Sequence, residues 1–289
     1  MTISKAPPDI SVIPDIHPSP PPFPLERVVP VSARRRSVPR WLRRPVVPLL
    51  LLGLWQVLSS TGALDPTVLA SPGTVARAAA DLVSSGQLPT AMGVSLRRVL
   101  AGLAIGGVAG TGLALVAGLS RLGEDTVDAT VQMLRTVPFV GLIPLLIIWL
   151  GIGEAPKIAL ISLGVTFPLY LNVYAGIRGV DEQLVEAGSS LGLSRWGLVR
   201  HVVLPGALPG LMTGLRYALA TSWLALIFGE QINADAGIGF LLNQAREFYR
   251  TDQIVVCLVI YALLGLTADA VVRTLERLLL QWRPTFTGQ

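Results

Sequence analysis

Residues 181–205 read DEQLVEAGSSLGLSRWGLVRHVVLP, with Glu186-Ala187-Gly188 in the first half, Gly192 near the middle and Leu204-Pro205 at the end. Asp181 suits a helix N-cap, because a short carboxylate there can accept from a free N–H of the first turn. Gly192 suits the left-handed residue just past a helix end. A second short helix is expected from Ser194, and Pro205 is expected to end it, since proline lacks the N–H that an interior helical position donates. The stretch reads as helix, tight turn, helix. That is either a knob shaped to enter another protein's groove or a plain interfacial hairpin.

Long apolar blocks stand on both sides of it. The 289 residues are 52% hydrophobic and 14% charged, with a mean hydropathy of +0.61, whereas soluble domains carry roughly 25% charged residues. The blocks predict an all-α, polytopic membrane protein with six transmembrane helices over about 46–60, 99–119, 131–150, 158–177, 206–228 and 254–272, since uninterrupted apolar runs of this kind are membrane spans. The knob falls between the fourth and fifth. Pro138 and Pro144 in the third span and Pro168 in the fourth are tolerable inside a bundle, where neighbouring helices satisfy the freed carbonyls.

The segments between and beyond the spans follow. Residues 1–45 hold half of the 22 prolines and read as a disordered Pro/Arg-rich tail. Residues 61–90 form a polar segment with a short amphipathic helix from Ser71-Pro72 to about Gly86, suited to a membrane surface. Residues 91–275 are the core, including the interlude 178–205, and residues 276–289 are a tail. Residues 121–128 read as a polar turn.

Two spans carry a ridge of small residues every fourth position: Gly102, Gly106, Gly110, Ala114 and Gly118 in the second, and Gly210, Gly214, Ala218 and Ser222 in the fifth. In lipid such a ridge lets helix backbones approach closely, because packing rather than water exclusion drives association there.

Arg34, Arg35, Arg36, Arg40, Arg43 and Arg44 abut the first apolar block, which places the N-terminal tail inside by the positive-inside bias. Six spans then put the C-terminus and the knob inside as well. Arg135 and Arg216 fall within spans, where charge is costly. Each either anchors structurally, by snorkelling or by pairing with a carboxylate, or contacts an anion. Arg97, Arg98, Lys157, Arg246 and Arg250 fall near the outer face, as cations that guide an anion or bind another protein, or as ordinary solvated loop charges.

The inventory argues against most enzyme classes. Neither lysine, Lys5 or Lys157, stands in a phosphate-binding Gly-Lys-Ser/Thr sequence, so no ATPase site is expected on this chain. His17, His201 and Cys257 are too scattered for a metal site, and one cysteine forms no internal disulfide. No catalytic residue, metal or cofactor is expected. The basic charge flanks apolar blocks instead of forming a basic face with aromatics, so a bilayer and not nucleic acid is the expected partner.

Glu186-Ala187-Gly188, three residues, Gly192, nine residues, Val202, one residue, Leu204-Pro205 resembles the EAA motif of binding-protein-dependent ABC importer permeases, which reads Glu-Ala-Ala, three residues, Gly, nine residues, Ile, one residue, Leu-Pro. Gly188 and Val202 depart from it. Gln132 to Pro138, Pro144 to Lys157, Gly176 to Asp181, Leu204 to Pro209, Gly237-Ile238-Gly239, and Tyr261 to Gly265 with Leu275-Glu276-Arg277 extend the likeness to the sulfonate, nitrate and taurine branch, nearest its aliphatic sulfonate permeases, over about residues 46–285. The resemblance implies a type I importer (MetI-like) fold and a homodimer. It also implies two ATPase subunits that hold ATP and Mg, an extracytoplasmic solute-binding protein, and a bacterial inner-membrane location. On it, Glu186, Ala187, Gly188, Gly192, Leu204 and Pro205 form the coupling loop that the ATPases move. Gly192 serves there as a plain helix C-cap, as a coupling residue, or as both.

Overall fold

The computed structural model describes residues 46–65 and 67–280. The chain divides into two units, 1–47 and 48–289, and the bundle belongs to the second. The expected tail 1–45, its arginine fringe and residues 281–289 lie outside the described residues. All regular structure among the described residues is helical: α1 (Val46–Ser60), α2 (Pro72–Ser84), α3 (Gln87–Leu119), α4 (Arg121–Leu134), α5 (Phe139–Leu150), α6 (Glu154–Arg178), α7 (Glu182–Ser190), α8 (Arg195–Ile232), α9 (Ile238–Glu247) and α10 (Thr251–Leu279).

Four of these, α3, α6, α8 and α10, are long and apolar enough to cross a bilayer, and α4 with α5 makes a fifth, bent by 82°. The remaining expected span, the first in the chain, is α1. At 15 residues it is about 22 Å long, short of the roughly 30 Å hydrocarbon core. The all-helical class stands, and the count of six is met only if α1 and the bent pair are each taken as a span.

The glycine ridges explain the arrangement. A Cβ built on Gly102 would overlap Ile161, one on Gly106 the Ser162 carbonyl, and one on Gly110 the Thr166 carbonyl; on Gly118 it would lie 2.8 Å from Ile177. The ridge of α3 is thus seated on α6. The ridge of α8 is seated on α6 as well: Gly210 faces the Asn172 carbonyl, and a Cβ on Gly214 would lie 3.0 Å from the Asn172 Cβ. Helix α6 is gripped between two helices at backbone contact distance, and Leu160, Ile161, Val165, Leu169 and Tyr170 are almost wholly buried there. Pro168 lies inside this helix without ending it. The carbonyl of Gly164, which it leaves without an intrahelical donor, receives the Thr221 hydroxyl of α8 at 2.7 Å.

Several boundaries depart from the hydropathy reading. Helix α3 begins at Gln87, twelve residues before the apolar block, because Arg97 and Arg98 are helical. Residues 121–128 are helix, not a turn, and include a π segment over Glu124–Asp128. Their acids find partners on α6: the Tyr170 hydroxyl donates to Asp128 at 2.8 Å, the Tyr174 hydroxyl to Glu124 at 3.1 Å, and Arg178 pairs with Glu124. Helix α2 matches its expectation, with Ser71 capping Thr74 N–H and Gly86 at φ +75° after its end. Before it, the Asp65 carboxylate accepts from the N–H and hydroxyl of Thr67, which holds its pKa below the usual range.

The ridge contact makes a prediction. Gly106→Val should lower the stability of the purified chain by about 1–3 kcal/mol, the usual cost of overpacking, seen as a lower Tm or loss of the monodisperse fraction. Gly112→Ala should be tolerated, since no atom lies within 4 Å of its Cβ position.

Candidate functional site

The knob has the expected outline. The Asp181 carboxylate accepts from Gln183 N–H at 2.9 Å to start α7, and Ser194 caps the next helix by accepting from Gly197 N–H at 3.2 Å. Between them Gly192 lies at φ +84°. Its N–H donates to Ser189 and the following Leu193 N–H donates back to Gly188. The conformation favours glycine because a Cβ would crowd the backbone there. Gly188 is buried in the elbow, and a Cβ on it would meet Leu198 at 2.8 Å. The departure from alanine at this position therefore suits the close crossing of the two short helices.

Glu186 and Ala187 are exposed, and beside them Leu184, Leu191 and Trp196 are 59%, 85% and 69% exposed. The tip thus combines a carboxylate, a small residue and large apolar groups without cover. The second short helix does not stop before Pro205. It widens into a π segment, Val199–Val203, and continues through Leu204 and Pro205 into the membrane-length helix. The register change absorbs the missing N–H, as local π adjustments do at prolines. Leu204 and Pro205 thereby fasten the knob to α8 as one continuous rod.

The two intramembrane arginines have different surroundings. Arg216 on α8 pairs with Glu276 at 2.7 Å and Asp269 at 3.5 Å, both on α10. Arg135 follows α4 at the bend, is exposed, and makes no ion pair among the described residues. Burying charge at such depth costs at least about 2.5–3.5 kcal/mol on insertion scales.

At the end of the bundle opposite the knob, hydropathy reading misplaced two cations. Arg98 and Lys157 are not loop charges: they are 2% and 5% exposed. Arg98 of α3 reaches Glu154 of α6 at 2.5 Å, Glu230 of α8 at 2.6 Å and the Ala236 carbonyl at 2.6 Å. Glu230 also accepts from the Ser95 hydroxyl at 2.7 Å and Gly239 N–H at 2.7 Å, and Lys157 lies 3.3 Å from Glu154. Two carboxylates meet two cations, so the cluster is neutral. A Cβ on Gly237 or Gly239 would strike the Glu230 side chain, which gives Gly237-Ile238-Gly239 its physical reason. Helix α9 begins on this clamp and was not anticipated, being short and only half apolar. Arg97, by contrast, is 74% exposed and 4.0 Å from Glu154. Arg246 bonds Asn243 and Arg250 lies 3.9 Å from Asp252.

Residues 102–281 match the model of the family described as binding-protein-dependent transport system inner membrane component. The chain is 47% identical over 252 residues to the Escherichia coli protein named putative aliphatic sulfonates transport permease protein SsuC, covering 86% of this chain and 96% of that one. It is 36% identical over 248 residues to the Bacillus subtilis protein of the same name, covering 86% and 90%. Among solved structures, an amino acid ABC transporter crystallised with histidines aligns over 68% of this chain and 96% of its own at a TM-score of 0.58 and 17% identity. That last likeness is one of fold.

Arg98→Ala should leave Glu154 and Glu230 without their shared cation and cost about 3–5 kcal/mol, the range for breaking a buried pair by removing one partner. Thermal unfolding of the purified protein checks it. Arg98→Lys should recover only part, because a lysine cannot serve two carboxylates and a carbonyl with one planar fork.

Proposed function

The chain belongs to the binding-protein-dependent transport system inner membrane components, and on that premise we propose that it is the permease subunit of an ATP-driven importer of aliphatic sulfonates. Two copies form the path, two ABC ATPase subunits bind ATP and Mg, and an extracytoplasmic solute-binding protein delivers the anion. The knob and both termini face the cytoplasm, and the Arg98 cluster lies toward the outside.

The observation that carries the reading is the knob: a rigid elbow with an uncovered tip, continuous with a helix that crosses the bundle. Such a rod turns motion of a docked partner into motion of the span. Glu186 offers an exposed anion to a basic or amide group of the ATPase, and Ala187 lets that partner approach closely. Gly188 and Gly192 set the elbow, while Leu204 and Pro205 root it in α8. The sulfonate assignment is supported by the 47% identity over nearly the whole length of a protein named for that cargo.

In proteoliposomes, the chain alone should transport nothing, and uptake should require the ATPase, ATP and the binding protein together. An ion-driven carrier would transport without the ATPase. Gly192→Asp should insert normally yet abolish stimulated ATP hydrolysis and uptake, and normal uptake by that variant would refute the coupling role. For the cargo, an alkanesulfonate at about 100 times its Kd should stabilise the cognate binding protein by about 2.7 kcal/mol. Protection by taurine, nitrate or a pyrimidine precursor instead would reassign it.

A further inference from the structure

We infer that Arg135 is the cation that the transported sulfonate pairs with midway across the membrane, on a face of the bent α4–α5 pair that meets water and not lipid. The inference rests on the substrate reading above and adds to it a residue and a place.

Depth is the first observation. Asp128 of α4 bonds Tyr170 of α6 at 2.8 Å, and the Phe139 ring at the start of α5 lies against Gly164 of α6. Arg135 stands between these two points in the chain, so it lies level with the stretch from Tyr170 to Gly164. That stretch includes the middle of α6, which spans Glu154–Arg178. From it to the Arg178 end is about two to four helical turns, more than one arginine side chain reaches by snorkelling.

The second observation is the contrast among arginines. Arg98, Arg178 and Arg216 each meet a carboxylate. Arg135 meets none among the described residues and is exposed, beside exposed Met133, Leu134 and Val137. An uncompensated guanidinium at this depth must face an aqueous path or an anion.

The bend supplies the third. The helix is interrupted between Leu134 and Phe139, with the two halves at 82°. Non-helical backbone at membrane depth is tolerated where it lines a water-filled cavity or is buried in protein. Pro138 holds the break, and the break turns the Arg135 side chain out of the packed core.

The chemistry fits the cargo. A sulfonate spreads one permanent negative charge over three oxygens, and the planar guanidinium fork can hold two of them at once. One exposed cation, without an enclosing shell, binds weakly enough to release its cargo, as passage requires.

The test uses the reconstituted complex with ATPase and binding protein. Arg135→Gln should cut uptake of a labelled alkanesulfonate about tenfold or more, the scale of losing one charge-assisted hydrogen bond. Stimulated ATP hydrolysis should stay within about twofold, and Arg135→Lys should restore part of the uptake. Uptake by Arg135→Gln at the wild-type rate would overturn the proposal, as would equal loss of uptake and hydrolysis with full rescue by lysine, which marks a structural anchor. If Arg135→Gln does not insert, Arg135→Cys in a Cys257→Ala background decides. The introduced thiol should react with membrane-impermeant charged thiosulfonates and be protected by alkanesulfonate during turnover. Reaction only with lipid-soluble reagents would place it against lipid and refute the inference. If the wild-type complex takes up no alkanesulfonate at all, the substrate reading fails, and the thiol reactivity still decides whether the face is wet.

Discussion

Everything in this bundle hangs on backbone-to-backbone packing around α6. Two glycine ridges, one on α3 and one on α8, remove the side chains that would hold neighbouring helices apart. Lipid offers no hydrophobic force to bring helices together, so the energy comes from dispersion between surfaces that touch along their length. Close approach has a further effect: it brings polar groups of one helix within reach of the next. The Thr221 hydroxyl satisfies the carbonyl that Pro168 frees, and the Thr166 hydroxyl lies 3.3 Å from the Gly106 carbonyl. Proline and threonine in these spans therefore depend on the glycines across the interface.

The same packing fixes the two ends. At one end α3, α6 and α8 converge so tightly that Arg98, Glu154, Glu230 and Lys157 form a closed neutral set, out of reach of water at Arg98 and Glu230. At the other, α8 leaves the bundle and becomes the second arm of the knob. A single helix thus carries Glu230 near one terminus and the elbow at the other, over about 57 Å for its 38 residues. Its continuity through Pro205 depends on the π segment, since an ordinary α register would break there.

Legibility in the sequence divided along physical lines. The four-residue spacing of Gly102, Gly106 and Gly110 announced a packing ridge, because helical periodicity is a local property. It did not say which helix would fill the ridge. Asp181, Gly192 and Ser194 announced the elbow for the same reason: caps and left-handed turns are decided within a few residues. Arg98 was misread because hydropathy treats charge as a reason to leave the membrane, and only the arrival of Glu154 and Glu230 from elsewhere in the chain cancels it. Residues 121–128 were misread likewise, since their acids are helical once Tyr170, Tyr174 and Arg178 stand opposite. Helix α9 carried too weak a pattern to stand out, and its start is set by Glu230.

The sequence alone determined that the chain is helical, lives in a membrane and bears a capped elbow with the EAA spacing, for these follow from composition and from interactions within one or two turns. The tertiary structure decided where charge may sit. Burial of Arg98, pairing of Arg216 and the bare exposure of Arg135 depend on which helices meet at which depth. The energy of a charge is set by its surroundings, and those are assembled from residues far apart in the chain.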